Sequence, residues 1–226
     1  MGYEWSFGFL LRYTHLFWVG IGYTLAYTVG TVALGLVVGL LLGLARLSRS
    51  RLLNIPLVAF IEIFRCTPLL VQLVWVYYAL PVILQIWFPS AQIPPAVAAT
   101  LVLSLYTGAF YAEIFRGGIL SIEHGQWDAA RALGLRRWPM MRQVILPQAV
   151  RRMVPPFMNQ SIIQLKNTSL VSTIAVPDLL YQGTLITADT YRPLETYTAI
   201  AVIYFALLFP ATRLVQWYEQ RLITAR

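Results

Sequence analysis

Five mainly apolar stretches, approximately 17–45, 57–84, 94–116, 153–176 and 196–217, alternate with shorter segments that hold most of the charge. A helix needs about 20 residues, at about 1.5 Å each, to cross a hydrocarbon core about 30 Å thick. Each stretch is long enough, although the fourth is the least apolar. The pattern predicts an all-α integral membrane protein with five transmembrane helices. In the first stretch Gly35, Gly39 and Gly43 recur every four residues and leave a groove on one helix face. Such a groove serves either close packing inside the bundle or a seam with another chain. Without a long repeat, a low-complexity tract or a soluble segment, residues 1–226 form one domain.

Between the third and fourth stretches, residues 117–152 break the pattern. From Ser121 to Val150 the chain is too polar to span, and it carries two short helical patterns divided at Gly134. Ala129, Ala130, Ala132 and Leu133 favour helix, and Gly134 can adopt the left-handed conformation that ends one. Pro139 suits the first turn of the next helix. Leu146-Pro147 is expected to break that second helix where the chain re-enters the membrane. The prediction is a helix-turn-helix. Small Ala129 and Ala130 would admit a partner's surface, with Asp128 and Arg131 fixing its register through charge-assisted bonds. An amphipathic helix on anionic lipid is the plainer alternative.

Composition agrees with the membrane assignment: 58% of residues are hydrophobic and 12% charged, with a mean hydropathy of +0.66. A soluble surface for 226 residues cannot be made from so few charges. The net charge of +8 arises from arginines in the gaps rather than from a basic domain, so no nucleic-acid partner is expected. Arg46, Arg49 and Arg51, then Arg116, Arg131, Arg136, Arg137, Arg142, Arg151 and Arg152, then Arg213, Arg221 and Arg226 share one side: 13 of 17 basic residues. By the positive-inside rule this places the N-terminus outside and the C-terminus and the 117–152 loop in the cytoplasm. Cys66 has no partner in the chain. The first sixteen residues lack the charge pattern of a cleavable signal peptide.

The run Asp128-Ala129-Ala130, three residues, Gly134, nine residues, Val144, one residue, then Leu146-Pro147 resembles the signature loop of the membrane subunits of bacterial ABC importers. Phe64-Arg65-Cys66-Thr67-Pro68-Leu69-Leu70-Val71-Gln72-Leu73 resembles a segment of the polar amino-acid permeases in that superfamily. Residues 112–119 and 166–172 are similar to further family segments. Asp128 stands where Glu is usual, and Cys66 where Gly is commoner. The resemblance implies a permease of the cytoplasmic (inner) membrane, paired with a second copy or a paralogue, two cytoplasmic ABC ATPase subunits and an extracytoplasmic solute-binding protein. It implies an amino-acid substrate, and coupling to the ATPases through Asp128, Ala129, Ala130, Arg131, Gly134, Leu146 and Pro147. ATP and Mg would be held by the partner, so this chain is expected to be non-catalytic and to need no cofactor or metal.

Ionisable groups are costly inside a bilayer, about 2.5–3.5 kcal/mol each at a helix centre. Glu62 and Arg65, and Glu113 and Arg116, are each spaced to pair on one helix face; otherwise Glu62, Glu113 and Lys166 would be a relay in an ATP-independent channel or ion-coupled carrier. The fourth stretch carries Asn159, Gln160, Ser161, Gln164, Lys166, Asn167, Thr168, Ser169, Ser172 and Thr173. Ser161, Gln164, Thr168 and Ser172 form a stripe expected to face the bundle interior or water, and Pro155-Pro156 allows a broken helix there. Lys166, the only lysine, either meets a solute carboxylate or ties its helix to a neighbour. Thr67 and Gln72 either line a path or satisfy backbone groups freed by Pro68. His15 and His124 are far apart and offer no enzyme site. There is no Gly-x-x-x-x-Gly-Lys-Ser/Thr segment to hold a nucleotide. The chain purified alone should therefore release no phosphate from ATP above background in a colorimetric assay.

Overall fold

The computed structural model describes residues 3–48 and 50–224, the side chains of 222–224 excepted; Arg49 and Arg226 of the charge count lie outside the described residues. A short 3₁₀ turn, Gly8–Tyr13, leads into α1, Thr14–Ala45. Helices α2, Arg51–Cys66, and α3, Leu69–Leu84, follow. Then come α4, Pro95–Leu120, and the short α5, His124–Ala132. Helix α6 occupies 137–167 and passes into a 3₁₀ turn, Thr168–Ile174. Helices α7, Leu179–Thr190, and α8, Pro193–Thr224, complete the chain. All regular structure among the described residues is helical.

Three helices, α1 with its preceding turn, α4 and α8, are each long and apolar enough to cross a membrane. The predicted span 57–84 is not straight. It begins at Arg51 and consists of α2 and α3 meeting at 107°. The cause is Pro68, which forces Thr67 out of the helical region to φ −107°, ψ 143°. The predicted span 153–176 begins instead at residue 137, and it fails the criterion of length and hydropathy that the other three meet. Pro155 and Pro156 lie inside its regular helix, and the tightening comes later, at Thr168–Ile174. Helix α7 was not predicted. Its twelve residues are too few to register as a span.

The glycine repeat is used inside the chain. A Cβ on Gly39 would lie 2.5 Å from the Tyr111 Cβ and 2.9 Å from the Gly108 carbonyl oxygen, and one on Gly35 or Gly43 would meet α4 at 3.0 Å. Backbones this close gain dispersion contacts along the whole of the α1–α4 seam. Around the pair, Leu69, Leu73, Val102, Leu103, Val171 and Ile174 form one buried core. The buried Asp178 carboxylate caps α7 by accepting from the Leu180 and Tyr181 amides at 3.2 and 2.9 Å, and the Tyr204 hydroxyl of α8 donates to it at 3.3 Å. The Thr24 hydroxyl of α1 accepts the Leu179 amide at 3.1 Å. At the same end of α8, the buried Glu195 accepts from the Tyr3 hydroxyl, from the Ser6 amide at 3.1 Å and from Arg192 at 2.9 Å, pinning the N-terminal segment. The bond to this carboxylate raises the Tyr3 phenol above its usual pKa.

Leu146-Pro147 does not break α6. Five residues, Met141–Ile145, form a π-turn directly before it, so the Leu146 amide reaches back to Met141. The wider turn moves the carbonyl that a proline ring would strike, and the helix continues. The same arrangement recurs in α3, where Trp75–Ala79 form the π-turn before Leu80-Pro81.

If the α1–α4 seam sets the fold, Gly39→Val should cost about 1–3 kcal/mol or more by overpacking and lower the melting temperature of the detergent-solubilised protein. Gly30→Val, at a position with nothing within 4 Å of the added Cβ, should leave it in place.

Candidate functional site

The helix-turn-helix forms as the sequence predicts, and Gly134 ends its first helix at φ +72°. The Leu135 amide reaches the Ala130 carbonyl at 3.1 Å and the Gly134 amide reaches that of Arg131 at 2.9 Å. This is the paired closure of a Schellman cap, for which a left-handed residue is required. Beneath it Ile119, Ile122, Ala130, Met140, Ile145, Ala149 and Met153 form a separate core, flanked by Trp127, Leu135 and Phe157. The helix-turn-helix is thus packed on the Arg-rich ends of α4 and α6.

Only part of the acid-Ala-Ala run faces outward. Ala130 is buried in that core, so its small size serves packing within the chain, while Ala129 is exposed. Asp128 and Arg131 bond to each other at 3.0 Å and remain 69% and 65% exposed. Leu133 and Trp138 add exposed apolar surface on either side of Gly134. Leu146 and Pro147 are exposed on α6. A partly apolar patch with a paired acid and base on one short helix offers a protein partner both contact and register, while the neutral pair adds nothing to attract anionic headgroups.

The other predicted residues separate into two groups. Glu62 accepts from Arg65 at 2.7 Å, and Glu113 accepts from Arg116 at 2.8 Å and also from Arg46 at the end of α1. Arg46 was counted only as a loop charge; nothing in its spacing reveals a partner in α4. With both acids held by arginines, neither is placed to relay ions. Gln72 donates to the Phe64 carbonyl at 3.0 Å, the Thr67 carbonyl at 3.1 Å and the Thr67 hydroxyl at 2.6 Å. It thereby satisfies groups that the α2–α3 break sets free, and Thr67 in turn donates to the Ile63 carbonyl at 2.6 Å.

The stripe of Ser161 and Gln164 in α6 with Thr168 and Ser172 in the 3₁₀ turn that follows faces the bundle. Gln164 is fully buried and donates to the Thr31 hydroxyl at 2.8 Å, and Ser161 shares a hydrogen bond of 2.7 Å with Tyr111. Thr168 and Ser169 donate to carbonyls three residues back, at 2.8 Å each. Gln160 is also buried, and its Nε2 has no hydrogen-bond partner among the described residues. The opposite face is exposed at Pro156, Asn159, Ile163 and Lys166, spaced three, four and three residues apart. Asn159 donates to Glu219 of α8 at 3.1 Å, and Lys166 has no ion-pair partner among the described residues. Hydropathy conceals this second stripe because Ile163 interrupts it. The structure thus separates Lys166 and Asn159 from Gln164 and Thr168.

Residues 35–224 match the family model described as "binding-protein-dependent transport system inner membrane component". The chain is 42% identical over 203 residues to the glutamine transport system permease protein GlnP of Escherichia coli K12, covering 90% of this chain and 91% of that one. It is 37% identical to the octopine transport system permease protein OccM of Rhizobium meliloti, covering 88% and 83%. Its backbone is similar to that in a crystal structure of an amino acid ABC transporter with histidines, at a TM-score of 0.89 and 35% identity over 97% of this chain and 100% of the other. A methionine ABC transporter, MetNI, in an inward-facing conformation shares the fold at a TM-score of 0.68 and 22% identity, over 92% and 98%.

Because the cap needs φ +72° at residue 134 with open space around it, Gly134→Ala should strain the backbone by about 1–2 kcal/mol without a clash. Faster amide exchange at Leu135, whose N–H closes the cap, would register the strain, and Gly134→Asn should show less of it.

Proposed function

Since the chain belongs to the family of binding-protein-dependent transport system inner membrane components, it is a multi-pass permease subunit of an ABC importer, and we propose that it carries a polar amino acid. The observation that carries the reading is α5: a short helix packed by Ala130 onto the transmembrane bundle, with Asp128, Ala129 and Arg131 exposed for a partner. Two ATPase subunits hold ATP and Mg and dock on this surface in the cytoplasm. Their closure moves α5, and with it α6. A second copy or a paralogue pairs with the chain, and an extracytoplasmic binding protein delivers the solute. Five spans, counting α2–α3 as one and α6 as another, put the N-terminus outside and the C-terminus inside.

The path runs along the exposed face of α6. Asn159 and Lys166 cannot favourably face lipid at membrane depth, whereas Gln164 is enclosed by α1 and α4, and Gln160 and Thr168 are buried and serve packing. Lys166 supplies the cation that meets the solute carboxylate. Thr67 and Gln72 hold the α2–α3 elbow beside this path, Glu62 and Glu113 neutralise arginines near its cytoplasmic end, and Asn167 and Ser169 shape the turn that follows.

The test is uptake into proteoliposomes by the complex with its ATPase and binding protein, with glutamine, glutamate, histidine, arginine and octopine as competitors. Gly134→Pro, which proline's fixed φ of about −65° makes incompatible with the cap, should reduce ATP-driven uptake to background. Normal uptake by that variant would overturn the coupling role. Lys166→Met should reduce uptake while leaving the melting temperature unchanged, because the side chain is exposed.

A further inference from the structure

Three residues, Ser121, Ile122 and Glu123, join α4 to α5. Ser121 caps α4 through its amide bond to the Gly117 carbonyl, and Glu123 precedes α5 without a side-chain bond to its amides. Within the link, the Ile122 amide reaches the Ile119 carbonyl only at 3.4 Å. Backbone hydrogen bonding therefore does little to set the angle between the two helices, which is left to the packing of Ile122 and Ala130 in the core beneath and to polar contacts from α6. Apolar packing is non-directional, so a link this weakly bonded can act as a hinge unless polar contacts fix its angle.

Arg152 of α6 spans that hinge. Its Nη1 donates to the Ser121 carbonyl on the α4 side, and its Nη2 lies 3.7 Å from the Glu123 carboxylate on the α5 side. One turn earlier on the same face of α6, Gln148 Nε2 donates to Gln126 Oε1 of α5 at 3.1 Å and to the Val144 carbonyl at 2.9 Å. Residues 148 and 152 are one helical turn apart, as 123 and 126 are, so the contacts form two parallel rungs. Gly118 allows the approach, since a Cβ there would lie 2.3 Å from Met153 Cγ. The guanidinium is suited to the task because its planar fork donates in two directions from one rigid group.

We propose that Arg152 is the positioning residue that locks the docking helix α5 to the base of α6, so that a push on α5 turns α6 rather than bending the Ser121–Glu123 link. The proposal rests on the coupling reading above and adds the element that transmits the push. Arg152 touches neither nucleotide nor solute. Its effect is on how much of the ATPase movement reaches the pathway helix.

The test uses Arg152→Ala and Arg152→Lys in the complete complex in proteoliposomes. Hydrogen exchange over residues 121–132 reads the hinge and needs no solute, while radiolabelled glutamine taken up per ATP hydrolysed reads coupling. Arg152→Ala should raise exchange at 121–132, leave α1 and α4 protected, and lower uptake per ATP by about tenfold. Arg152→Lys, which keeps the charge and one of the two contacts, should recover part of both. Unchanged exchange in Arg152→Ala overturns the proposal, and so does faster exchange with uptake per ATP unchanged, which would leave Arg152 a merely structural contact. Normal coupling in Arg152→Ala beside an inactive Gly134→Pro removes this role and leaves the permease reading intact. Normal uptake by Gly134→Pro removes both.

Discussion

With no water to expel between them, helices in a bilayer are held by the atoms they bring into contact, and along the α1–α4 seam three successive glycines bring two helices together. Gly35, Gly39 and Gly43 remove the side chains that would keep the backbones apart. The remaining elements are arranged around that pair. Gln164 of α6 bonds to Thr31 of α1 and Ser161 to Tyr111 of α4, while the α7 cap bonds to Thr24 of α1. Because one face of α6 is used up in this way, its other face is left largely exposed, and that face carries Lys166 and Asn159, the latter bonded to Glu219 of α8.

Proline has two different consequences here. Pro68 follows a residue that must leave the helical region, and the chain turns by 107°. Pro147 and Pro81 are preceded by π-turns, which absorb the missing amide and the ring without changing course. The difference is whether one extra residue is admitted upstream. Where it is, the second helix of the helix-turn-helix and the rest of α6 run on as one continuous helix.

Hydropathy revealed α1, α4 and α8 because their apolar runs are long, and the left-handed Gly134 was legible because few residues tolerate that conformation. Summed hydropathy has no direction, so it joined α2 and α3 into one span across Thr67-Pro68. Leu146-Pro147 looked like a break because a π-turn has no composition of its own. The two faces of α6 were the hardest to tell apart. Gln164 and Lys166 are both polar, but one bonds to neighbouring helices and the other is exposed. Periodicity shows that each lies on a stripe, but only packing against α1 and α4 shows which stripe is enclosed. Ala130 was misassigned for a related reason: small residues suit an approach from either side.

The unbroken course of α6 has a mechanical meaning. From Arg152 to Lys166 the helix rises roughly 21 Å at 1.5 Å per residue, and it stays helical through Pro155 and Pro156. A tilt of about 10° at its base would carry the Lys166 end sideways by about 4 Å on that rise, comparable to the width of an amino-acid backbone. If α6 moves as one body in the proposed cycle, a small rotation at its Arg152 end becomes a displacement of molecular size at the lysine.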